Sequence, residues 1–215
     1  MKKCYASAFG ECGGKKQSQE HYFPKCILKN FTKLNLEGFK FKTASVESMT
    51  SGILCENHNN HLSDLDVEIC KMFKYLHDID NRRNNLPVIE ISVPKIERAL
   101  LKMALGVMYA KVTTGDIGKI ECRSEQMKRI LFEVETMPKN CGLFLEGNLG
   151  EKFYGKDQVG FSWHENGFIF NLQNLLRFHL LLQNDSSDNK FIKSPGLIIN
   201  GDSNAFGNGE IKFIY

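Results

Sequence analysis

Residues 18–24, SQEHYFP, place Glu20 beside His21 just ahead of an aromatic pair and Pro24. Residues 54–66, LCENHNNHLSDLD, place Cys55, His58, Asn59 and Asn60 just ahead of an apolar periodicity. Read together, the two stretches decide the fold of the first third of the chain. Residues 1 to about 62 are rich in Gly, Lys, Asn and Cys and poor in long periodic segments, so a domain built from them needs a staple beyond its own core. Cys4 and Cys12 precede the Glu20-His21 pair, and Cys55 and His58 follow it. Thiolates and imidazole are the donors that tetrahedral zinc prefers, and the Cys-x2-His spacing lets two ligands reach one ion from a tight turn. The Cys4-x7-Cys12 spacing is looser than a usual knuckle. The plain alternative makes Cys4 a terminal thiol and His58 a helix cap.

A zinc ion bound by Cys4, Cys12, Cys55 and His58 closes the intervening chain into a loop that carries SQEHYFP. Glu20 and His21 then approach Asn59 and Asn60. A carboxylate and an amide oxygen are ligands for a hard cation such as magnesium, which completes its shell with water and substrate phosphate. A neutral imidazole beside them can take a proton from water and so produce a nucleophile against phosphorus. These parts suit phosphodiester hydrolysis.

EHYFP followed by LCENHNNHLSDLD resembles the HNH endonuclease family in its zinc-bearing form, with an Asp/Glu-His-x-x-Pro segment and a later Cys-x-x-Cys-Asn-Asn motif. The similarity covers roughly residues 1–70. It implies a ββα-metal unit in which a hairpin presents the acid-His pair and a helix returns the asparagine. By position, His21 matches the general base, Glu20 the carboxylate that helps hold a catalytic Mg2+ or other divalent ion, and Asn59 the amide ligand after the last zinc ligand. Asn60 matches the second asparagine, expected as a structural hydrogen-bonding residue before a metal ligand, and Pro24 the family's proline. DNA is the substrate the resemblance implies. A separate possibility is an effector in a bacterial defence or restriction system whose cutting a partner protein controls. His58 replaces the usual final cysteine, Ser63 stands where glycine is common, and PKCILKNF lacks the Gly-Gly that often follows the proline.

The remaining composition adds little. Residues 1–60 carry nine lysines and no arginine against five acids, a weak basic footprint within a net charge of only +3. Lys15, Lys16, Lys25 and Lys29 flank the site and are candidate phosphate contacts, although a lysine run is commonly a solvated face. A run of about 18 apolar residues is absent, as is the continuous apolar stretch of a secretory signal, so the expectation is a cytoplasmic protein without a membrane span. Seven cysteines do not read as a disulfide framework; Cys26, Cys70, Cys122 and Cys141 are expected as small core or surface residues. His61 is expected as an exposed helix residue, and His164 and His179 as structural. GNLGEKFYG and GDSNAFGNGE lack the pattern of a phosphate-cradling loop.

From Asn59 onward, Leu62, Leu65, Ile69, Met72, Phe73 and Leu76 recur at helical spacing. NRRNNLPV, residues 81–88, reads as a turn-rich boundary, giving an HNH unit over 1–80 and a substrate- or partner-selecting domain over 88–215. In that second part VIEISV is a strand candidate. PKIERALLKMALGVMYAKV opens with Pro94 in the first turn of a helix apolar on more than one face. Residues 124–136 form a further helix with Ser124 as its cap. GFSWH and GFIFNL alternate across a four-residue turn as a hairpin, followed by strands in LLRFHLLLQ, GLIING and EIKFIY. The fold class expected is α+β: a zinc-stapled ββα-metal unit, then two helices and an antiparallel sheet. The rival function from another class is a zinc-stapled nucleic-acid-binding module without catalysis. Glu20 discriminates the two, because a carboxylate repels phosphate unless a cation intervenes.

Overall fold

The computed structural model of the chain describes residues 4–10, 12, 16–30, 49–81, 85–112, 123–145, 159–164, 166–172, 176–183, 196–199 and 207–215. The fold is mixed α+β, with helices packed against small sheets whose pairings are mostly antiparallel. Strand β1 (Gln17–His21) pairs antiparallel with β2 (Thr50–Cys55), and a short helix α1 (Lys25–Asn30) starts directly after Pro24. β2 runs without a loop into α2 (Glu56–His61) and, after a break at Leu62, into α3 (Ser63–Asp80). The expected periodicity appears as the buried face of α3, where Leu65, Ile69, Met72, Phe73 and Leu76 are all sequestered.

Beyond residue 88, β3 (Ile89–Ser92) leads into α4 (Val93–Ala110), with Pro94 in the first turn, and α5 (Ser124–Leu131) packs on α4. Glu68 of α3 accepts a hydrogen bond from the Ser92 amide at 2.7 Å, tying α3 to the start of α4. Strands β4 (Gly142–Leu145), β5 (Val159–His164), β6 (Gly167–Leu172) and β7 (Leu176–Leu181) form an antiparallel sheet in the order β4-β7-β6-β5. The hairpin expected from GFSWH and GFIFNL is β5–β6, with His164 opposite Gly167. β8 (Gly196–Ile199) and β9 (Gly209–Ile214) pair antiparallel, and β9 also pairs with β3 in parallel. Among the described residues no helix is long and apolar enough to cross a membrane.

Several expectations are corrected. Ser124 is the first residue of α5 rather than its cap; Arg123 holds the cap position without a side-chain bond. The sheets are not wholly antiparallel, because β3 and β9 pair in parallel although far apart in sequence, a pairing invisible to local alternation. α1 and β4 are too short to register as a period, although Ile27 and Leu28 of α1 are buried. Most buried apolar side chains among the described residues belong to one cluster, from Cys4 to Phe213, with members on both sides of the turn-rich stretch at 81–88.

Helix α4 explains that continuity. Lys102, Gly106 and Tyr109 fall at i, i+4 and i+7, one stripe of a helix, and all three face the N-terminal unit. Lys102 reaches Glu20 and Asp66. A Cβ on Gly106 would lie 3.5 Å from the Tyr22 backbone, and Tyr109 stacks on Tyr5 at 4.9 Å. The unit carrying the two decisive stretches is therefore clamped along one face by a helix from the C-terminal part.

Candidate metal centre and adjoining cleft

The metal centre is assembled from three segments. Cys4 belongs to the N-terminal turn, whose Tyr5 amide donates to the Ile53 carbonyl of β2 at 3.1 Å. Cys12 follows the turn, and Cys55 and His58 lie at the β2–α2 junction, three residues apart and hence on one side of the helical turn. The Sγ atoms of Cys4, Cys12 and Cys55 lie 3.6, 3.8 and 3.1 Å from His58 Nδ1, and all four donor atoms fall within 4.8 Å of one another. Bonds of ~2.3 Å to sulfur and ~2.0 Å to nitrogen around a tetrahedral ion put donor atoms roughly 3.5–3.8 Å apart. Cys4, Cys12, Cys55 and His58 are thus close enough to hold one metal ion, and the donor set is compatible with structural zinc.

The surroundings suit a metal as well. Desolvation, then the neighbouring sulfurs of Cys4 and Cys55, push the Cys12 thiol up to about 11. A central dication would reverse that resistance of Cys12 to ionisation. Burial opposes ionisation of Cys55 too, but the hydrogen bond from the His58 backbone, joined by those of the Cys12 and Cys4 side chains and the Asn57 backbone, outweighs it and holds this thiol below its ordinary value. Burial also lowers His58, favouring the neutral imidazole a metal requires, against a raising effect from the ring's bond to the Phe9 backbone. That bond fixes the ring, as outer partners of metal-bound histidines do. Phe132, just past α5, meets the His58 ring edge to face at 5.4 Å and stacks on Phe9 at 5.6 Å. Gly10, at φ 142°, turns the chain beside His58 in a conformation that side-chain-bearing residues rarely adopt.

A cleft of about 630 Å³ opens beside this centre, lined by Glu20, His21, Lys25, Asn59 and Asp66 among others. Ser18 and Glu20 project from the same face of β1, two residues apart, and the β1–β2 register slips between them, the kind of irregularity that re-aims side chains. One residue after His58, the helical turn swings the Asn59 side chain toward β1, where its Nδ2 donates to Ser18 Oγ at 3.1 Å. Asn59 is hydrogen-bonded to Glu20 as well. The acid and the amide therefore converge on one cavity, with His21 in its wall. Glu20 is buried, and that burial raises its carboxyl above the ordinary value, opposed by Lys102, whose Nζ lies 2.9 Å from Oε1.

Other predicted site residues separate from this set. Asn60 is exposed on α2 and does not line the cleft; His61 is exposed, its ring over Phe132 at 6.3 Å. Lys25 lines the cleft, whereas Lys16 and Lys29 are exposed outside its lining and Lys15 lies outside the described residues. His179 is buried on β7; Cys122 and the loop GNLGEKFYG also lie outside the described residues.

Two residues were missed. Asp66 lines the cleft from the first turn of α3, seven positions after Asn59, a spacing that would have found it on the unbroken helix expected from Asn59, although Leu62 interrupts the helix between them. Lys102 carried a signal of its own, a lone charge within the apolar run ALLKMALGVM.

Cys26 and Cys70, expected as unpaired small residues, are joined by a disulfide that forms part of the cleft wall. The packing of α1 on α3 brings their Cα atoms to 5.8 Å across 44 residues of sequence, a closure that ligand-spacing rules cannot register. Loop-closure entropy for that separation amounts to about 4 kcal/mol, with ~2–4 kcal/mol the usual yield. Cys26→Ser combined with Cys70→Ser should lower unfolding stability by that amount in non-reducing urea titrations. The difference from the unmutated chain should vanish in excess dithiothreitol.

No protein-family model, curated protein sequence or solved structure matches this chain.

Proposed function

We propose that the chain is a metal-dependent endonuclease of the HNH type that hydrolyses phosphodiester bonds in DNA. On this reading β1, β2 and α2 are the ββα-metal unit, with α1 inserted between the strands, and the Cys4, Cys12, Cys55 and His58 centre holds an architectural zinc. The observation that carries the reading is the convergence of Glu20, His21 and Asn59 on one cleft beside that centre. Two carboxylates, Glu20 and Asp66, face a single ammonium, Lys102, leaving the set one negative charge and with oxygen donors suited to a hard divalent cation. Glu20 and Asn59 would hold that cation, whose chemistry when bound is to stabilise negative charge on the phosphate and the leaving oxygen. His21 accepts the proton of the attacking water, and Lys25 at the cleft wall meets a flanking phosphate. Control by a partner protein in a bacterial defence or restriction system belongs to the same reading.

The non-catalytic nucleic-acid-binding module gains one specific observation. Lys102 is itself a cation beside Glu20, so the acid does not need a metal to sit in a phosphate-binding cleft. Plasmid nicking by the purified chain separates the two. Open-circle product with magnesium, and none with EDTA, is expected of the nuclease. Retardation of DNA without any cutting under magnesium or manganese would leave only the binding module.

A further inference from the structure

Lys102 does not line the cleft, yet it grips two residues that do. Its Nζ lies 2.9 Å from Glu20 Oε1 and 2.8 Å from Asp66 Oδ2, with the side chain 5% exposed. On an otherwise apolar helix face a buried ammonium is costly unless paired, and these two carboxylates supply the pairing. Asp66 is about one-third exposed and comes from α3, Glu20 is almost fully buried and comes from β1, and Lys102 comes from α4. The ammonium therefore ties three elements together directly behind the cleft.

We infer that Lys102 is a positioning residue that makes binding of the divalent ion depend on the nucleic-acid phosphate. The inference rests on the nuclease reading. With Lys102 in place, Glu20, Asp66 and Lys102 sum to one negative charge; a dication added to them leaves one positive charge, which a phosphodiester neutralises. Without Lys102 the two carboxylates balance a dication alone. The free chain thus holds the ion weakly, and ion and DNA tighten one another's binding reciprocally.

Mn2+ titration calorimetry tests this on the full zinc-loaded chain, with and without a phosphorothioate duplex that resists cutting. Lys102→Met should bind Mn2+ about tenfold or more tightly than the unmutated chain without DNA, since a unit charge at ligand distance from a dication exceeds that factor even in a screened environment. The duplex should then tighten Mn2+ binding less in Lys102→Met than in the unmutated chain, and Lys102→Arg should keep the unmutated behaviour. Lys102→Gln, which retains a donor between the carboxylates, is the second variant if methionine prevents folding. Unchanged or weaker Mn2+ affinity in the neutral variants, alongside magnesium-dependent nicking by the unmutated chain, overturns this inference alone. Absence of Mn2+ binding in every variant together with absence of nicking overturns it and the nuclease reading both.

Discussion

Replacing Cys55 with serine is expected to strip the metal from the chain and to unfold the unit around it. Cys55 is buried, ends β2, stands in the cap position of α2 and donates its backbone amide to Cys4 Sγ at 3.4 Å, so one residue links strand, helix and N-terminal turn. Structural zinc contributes ~10–16 kcal/mol of apparent binding energy in small zinc domains, comparable with the whole stability of a typical fold. Loss of even about 5 kcal/mol corresponds to roughly 10–20 °C in Tm for a chain of this size. Metal analysis should find about one zinc per chain before the substitution and a small fraction afterwards, and thermal unfolding should show the matching drop. Chelation of the unmutated protein should reproduce the change. Stoichiometric zinc retained by Cys55→Ser would remove Cys55 from the ligand set.

The second large effect concerns chemistry and should leave the fold alone. His21 is half-buried at the end of β1, in the cleft wall and outside the zinc cluster, so its removal takes little from the core. A positioned general base contributes ~10²–10⁴ in rate. His21→Ala should therefore cut DNA at least about a hundredfold more slowly under magnesium, with unchanged zinc content, Tm and DNA affinity. Kinetics and binding measured on one preparation distinguish this from damage to the site's shape. Magnesium-dependent cutting within about threefold of the unmutated rate would transfer the base role elsewhere.

Both experiments act on residues that short-range spacing had already singled out. Glu20 next to His21, Cys55 three residues before His58, and Asn59 directly after it are local patterns, and a strand or a helical turn converts such spacing into a shared face with little help from the remainder of the chain. The β5–β6 hairpin and the apolar face of α3 were legible for the same reason. The gathering of Cys4, Cys12, Cys55 and His58 needed one further step: donor chemistry told which residues belong around one ion before any geometry was known.

The other half of the site depends on packing. Lys102 meets Asp66 across 36 residues and Glu20 across more; the Cys26–Cys70 bond spans 44; β3 finds β9 near the chain's far end; and Phe132 supports His58 from past α5. None of these pairings leaves a period in the sequence, because each is selected by which apolar faces bury one another, a property of all the elements at once. The amino-acid sequence by itself determined the longer elements, the four donors that lie close enough to hold a metal, and the candidate trio of Glu20, His21 and Asn59. Only the tertiary structure decided which cation stands behind the acid, which second carboxylate joins it and what walls the cleft. Side chains a few residues apart are held together by backbone geometry, whereas side chains dozens of residues apart meet only after loop-closure entropy has been overcome by burial of the core.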